Sequence, residues 1–192
     1  DARLWRTGVM VSLFWMIGAI ILSLLPPLVK TMMGGEEMVV SAYLAVFAIS
    51  IAVGSALGSF LSSGRIVLLP APVAMLVMAA FSLDLAFAVW GLPPAPAPRD
   101  VGPFFADWAA WRIAIDLSGL AVAGGVFVVP TFAATQYWAP VEKRARIIAA
   151  VNVLTAAFMV VGALVVGAIQ KAGVSVGEVF ALLAGLCLVS SL

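Results

Sequence analysis

Three ionisable residues stand inside apolar stretches of this chain: Asp84, Arg112 and Asp116. Apolar residues make up 65% of its 192 positions and charged residues only 10%. A soluble domain carries about a quarter charged residues, so this surface is built for a bilayer. An ionised side chain at membrane depth costs at least ~2.5–3.5 kcal/mol on insertion scales and therefore needs a partner or a task. Arg112 follows Trp108 and Trp111 closely, near enough to an aromatic belt to reach the headgroups. Asp84 precedes Trp90 by six residues, about 9 Å of helical rise. Asp116 is about 13 Å beyond Asp107 by the same measure, close to the midplane, and too short to reach either surface. The i,i+4 spacing of Arg112 and Asp116 puts both on one helix face, where an ion pair can form. The expectation is one charged cluster in the outward half, facing the bundle interior. Two chemistries stay open. The Arg112 fork suits an anionic group such as phosphate, or the charges neutralise one another and lock two helices together.

A second polar group lies around residues 136–146, where Gln136, Arg144 and Arg146 fall, with Asn152 just beyond. Basic residues at a helix end attract anionic headgroups. The sharper reading has Arg144 and Arg146 pairing with helix carboxyl ends as a gate latch. Small residues form a third set. Gly54 and Gly58 make a small-xxx-small face that lets helices approach, and Gly124-Gly125 serve the same end. Pro130, shortly after them, is expected to kink or unwind its helix and act as a hinge.

Other chemistry is missing from the sequence. There is no His, so no imidazole metal site and no His general base, and no cofactor is expected. The single Cys187 allows no internal disulfide. The net charge of +1 gives no field for nucleic acid. No phosphate-binding G-x-x-x-x-G-K-[ST] loop is present.

The elements that must position these residues are transmembrane helices, since only helices and closed barrels satisfy every backbone polar group in hydrocarbon. The mean hydropathy of +1.21 and the absence of strand alternation select helices. Spans are expected at about 7–29, 38–61, 66–90, 108–137 and 147–169. A sixth, 179–192, is cut short of the ~20 residues needed to cross, so the chain reads as one membrane domain taken from a longer protein. Residues 91–107 hold five prolines and read as a stiff extended loop. Arg3, Arg6, Arg65, Lys143, Arg144 and Arg146 collect at one side, and Lys30, Arg99 and Lys171 at the other. The excess of basic residues places the start of the chain and the 139–146 loop in the cytoplasm.

Pro26 and Pro130 are 104 positions apart, and Gly54 and Gly162 are 108 apart. Units of about 7–90 and 108–192 thus read as two three-span repeats, inverted because three is odd.

Phe14-Trp15-Met16-Ile17-Gly18-Ala19, Gly124-Gly125 through Pro130, and Gln136 through Asn152 resemble the carboxy-terminal half of bacterial lysophospholipid transporters of the major facilitator superfamily. The likeness is strongest to transporter domains fused to a glycerophospholipid acyltransferase and an acyl-activating ligase. The resemblance implies a non-enzymatic segment of the bacterial inner membrane. It would work with an amino-terminal transporter half, carrying lysophospholipids inward for reacylation. Two departures stand out. Gly58 through Arg65 lacks the acid and one spacer of the facilitator signature G-x-x-x-D-R-x-G-R. Val151 stands where a second Asn is expected beside Asn152. The alternatives are a facilitator for another small amphiphile, or the membrane anchor of a multidomain acyltransferase.

Overall fold

The computed structural model describes residues 1–62, 68–93 and 97–191. Ser63, Gly64 and Arg65, the end of the facilitator-like signature, lie outside the described residues, as does the expected start of the third span. Among the described residues the chain is helical throughout, apart from turns and one isolated bridge. Helix α1 spans Ala2–Pro27 and runs on through a π turn, Leu28–Met32; α2 is Glu37–Ser62 and α3 is Pro70–Trp90. A one-turn helix α4, Val101–Phe104, precedes α5, Trp108–Trp138. A short 3₁₀ turn leads into α6, Arg144–Lys171, and α7 is Val176–Ser190. Five of these helices, the first counted with its π turn and α6 with its 3₁₀ turn, are long and apolar enough to cross a membrane. That is the pattern of a multi-pass membrane protein. Helix α7 is apolar and shorter.

The starts of the helices follow from local chemistry. The first four N–H groups of a helix lack carbonyl partners, and a side-chain oxygen at the cap supplies one. Asp1 accepts from the Arg3 amide at 2.9 Å and Asp107 from the Ala109 amide at 3.0 Å. At α7 the Ser175 hydroxyl and the Glu178 carboxylate cap each other's backbone N–H groups reciprocally.

Helix α5 is the hub. It packs on α2, α3 and α1, while α3 also packs on α7 and α1 on α6. Of the most apolar window of α5, 61% is buried, against 17% for α2 and 11% for α6, so those two helices carry most of the open apolar surface. In lipid there is little hydrophobic force between helices, and close packing of small residues must supply the attraction. Gly54 and Gly125 show how. A methyl group added at Gly54 would collide with the Val122 backbone, and one at Gly125 with the backbone of Ile51, Ser55 and Gly54. Gly58 sits against Val126 in the same way, and Gly124 makes room for the Phe14 ring. The glycines read as a packing face are therefore the α1–α2–α5 contact itself.

Two expectations change. Residues 91–107 are not extended throughout. Arg99 forms a parallel bridge to Gly35, and α4 follows, set by Phe104, whose side chain is fully buried beside Tyr43. Pro130 does not unwind its helix, because α5 is α-helical without a break from Trp108 to Trp138. Proline deletes one N–H, and the small residues around it allow α2 to close against the exposed backbone. The irregular turn occurs instead after Pro26-Pro27, where α1 widens into its π segment.

Candidate functional site

The charged cluster forms across α3 and α5. Arg112 donates from Nη2 to Asp84 Oδ1 at 2.6 Å and from Nε to Asp84 Oδ2 at 3.4 Å. This fork-to-carboxylate arrangement is the stronger kind of ion pair. The expected Arg112–Asp116 pair along one helix is not formed; Asp84, from a different helix, takes the guanidinium. Asp116 is 3% exposed, and its Oδ2 has no hydrogen-bond partner. Asp84 meets it both as a charge and as a neighbouring carboxyl within hydrogen-bonding reach, and Arg112 acts on it as a charge. The three residues come together as expected, with the roles of the two aspartates exchanged. Arg112 is engaged in a lock between helices, so gripping a phosphate would first require releasing Asp84.

Gln136 and Asn152 also come together. They line one cavity of about 600 Å³ between α1, α5 and α6, with Trp15, Phe132, Thr155 and Met159. Thr155 shares a hydrogen bond of 3.1 Å with Ser12 of α1, and Ser12 also donates to the Gly8 carbonyl at 2.8 Å. The cavity is polar at Gln136 and Asn152 and apolar along Trp15 and Met159. Sequence reading missed its walls. Trp15 and Met159 look like ordinary lipid-facing residues until α1 and α6 are seen side by side.

The expected latch is not formed among the described residues. Arg144 and Arg146 are exposed at the start of α6, and neither makes an ion pair or hydrogen bond with the described residues. Arg144 begins the helix, where the dipole is positive and offers a cation nothing. At this end the contact is instead Arg3 stacked over the Trp138 ring, 5.5 Å from its centroid.

A clasp that the sequence did not disclose holds the other end. Arg99 N–H donates to the Gly34 carbonyl at 2.8 Å, and Arg99 Nη2 to the Met33 carbonyl at 3.1 Å. Its guanidinium lies over Phe104 and pairs with Asp107 at 3.8 Å. Gly34, at φ +69°, provides the turn that presents these carbonyls. Beneath it Tyr43 donates to the Ala110 carbonyl at 2.7 Å, and Trp111 to the Phe105 carbonyl at 2.7 Å. A second cavity, about 1000 Å³ and almost wholly apolar, opens between α2, α3 and α5, with Phe81 and Trp111 among its walls.

No family model matches the chain, and no curated protein or solved structure does.

Proposed function

We propose that this chain is the six-helix carboxy-terminal half of a major-facilitator-type transporter that carries lysophospholipids across the bacterial inner membrane for reacylation. The observation that carries the reading is a symmetry of helix pairing. A two-fold exchange of the two three-helix units swaps α1 with α5, α2 with α6 and α3 with α7. It turns the α2–α5 contact into α6–α1, and both are extensive. It maps α1–α5 and α3–α7 onto themselves, and both pairs touch. The register agrees as well. Gly54 faces Val122, so offsets of 108 and 104 place Gly162 opposite position 18. Met16 and Ile20, flanking that position, are the residues against Gly162. The one unequal pair is α3–α5 against α7–α1, and α7 has 15 residues where α3 has 21.

Inverted three-helix repeats build each half of a facilitator, with the transport path between halves. The open faces of α2 and α6 are where an amino-terminal half would sit. The cavity bearing Gln136 and Asn152 pairs polar groups with Trp15, Phe132 and Met159, which suits a headgroup with a single chain. An acyltransferase, fused or associated, would take the delivered lysolipid.

The test is the full-length parent protein in proteoliposomes with labelled lysophospholipid. Inward movement above protein-free vesicles, reduced by Gln136→Ala combined with Asn152→Ala, supports the reading. Movement equal to protein-free vesicles overturns it.

A further inference from the structure

Asp116 presents a charge problem that the rest of the cluster does not solve. Its carboxyl is buried between helices, and one oxygen has no hydrogen-bond donor. Arg112 is one helical turn away and able to neutralise it, yet its fork is committed to Asp84. No other counter-charge is available among the described residues. On α5 the charged groups are Arg112 and, at the cap, Asp107; α3 contributes Asp84 alone. Helix α1 bears Arg3 and Arg6 at one end, with Lys30 beyond the other; α2 has Glu37 at its start; α6 has Arg144, Arg146 and Lys171 near its ends. Two carboxylates and one guanidinium would leave one net negative charge in a low-dielectric interior, which costs several kcal/mol. A buried acid in that position keeps its proton.

We propose that Asp116 is a proton-binding site, and that Arg112 chooses between Asp84 and Asp116 according to whether the proton is present. With the proton bound, Asp116 is a neutral acid and Arg112 locks α3 to α5 through Asp84, as observed. When the Asp116 O–H bond breaks, the proton passes to water at the half-exposed Asp84–Arg112 mouth (side chains 50% and 41% exposed). Arg112 then turns to the new carboxylate on its own helix, at i,i+4 spacing. Asp84 is left toward solvent and the α3–α5 lock opens. A lock held at one protonation state and released at the other is a two-state element that a proton gradient can bias. The inference stands apart from what the protein carries, since it needs only the buried acid and a guanidinium with two possible partners.

Infrared spectroscopy of the full-length protein in bilayers at neutral pH tests this, by reading the carbonyl stretch of a protonated carboxyl and its shift in heavy water. The wild type is expected to show the band and Asp116→Asn to lose it. Asp84→Asn is expected to lose it too, because the freed Arg112 pairs with Asp116 and ionises it. Asp84→Glu, which preserves the lock and guards against a folding failure, retains the band. A wild type without the band, or a band that survives Asp116→Asn, overturns the proton site. A band that survives Asp84→Asn in folded protein overturns the exchange of Arg112.

Discussion

Single side chains decide how the Arg99 end of the bundle is closed. Arg99 supplies a charged donor to the Met33 carbonyl while lying over Phe104. Hydrogen bonds from charged groups contribute about 1.5–3 kcal/mol, whereas its half-exposed pair with Asp107 contributes little. Arg99→Ala is therefore expected to lower stability by about 1.5–3 kcal/mol, with faster proteolysis near residues 97–100, measured by thermal unfolding and limited digestion in detergent. Tyr43→Phe removes one buried hydrogen bond to Ala110 and should cost about 0.5–1.5 kcal/mol in the same assay. The sequence disclosed these residues unequally. Asp84, Arg112 and Asp116 were conspicuous because charge inside an apolar run is expensive. Their pairing was misjudged because i,i+4 spacing is a rule within one helix and Asp84 arrives from another. Arg99 passed as an ordinary surface charge, since a proline-rich loop has no period from which to infer what it folds against.

Helices could be read from length and apolarity, and the five long ones fall close to the expected spans. The four-residue α4 and the π turn are too short to carry a periodic signal. Contact faces were legible only where Gly marked them. Gly54 and Gly125 meet backbone, which cannot move aside, whereas nothing lies within 4 Å of a methyl group added at Gly167. Overpacking costs about 1–3 kcal/mol. Gly54→Ala and Gly125→Ala should each lose at least that much in unfolding measurements. Gly167→Ala should gain up to about 1 kcal/mol from helix propensity. Equal effects at the three positions would remove Gly54 and Gly125 from the α2–α5 contact.

At the scale of the whole molecule, the structure separates the basic residues into two ends. Arg3 reaches Trp138, which gathers the first terminus and the end of α5 together. The Gly35–Arg99 bridge and the Trp90 indole against Gly177 gather the opposite end. Gly8 faces Val151 and Gly162 faces Met16, so α1 and α6 run parallel. Lys143 must then share the end of Arg6, and Lys171 the end of Lys30. Because a unit of three spans is odd, the proposed inverted repeat demands this parallel pairing of the first helix of one unit with the second of the other. The lone Cys187 of these 192 residues is fully buried, so this segment adds little background to labelling. Cysteines introduced one at a time in the full-length protein as Arg6→Cys and Lys143→Cys should react with a membrane-impermeant maleimide from one side. Lys30→Cys and Lys171→Cys should react from the other. The excess of Lys and Arg predicts a cytoplasmic Lys143 side, and on that expectation the Arg6 and Lys143 pair labels only in inverted vesicles. Labelling of Lys143→Cys and Lys171→Cys from the same side would mean that α6 does not cross, and the inverted repeat would fall with it.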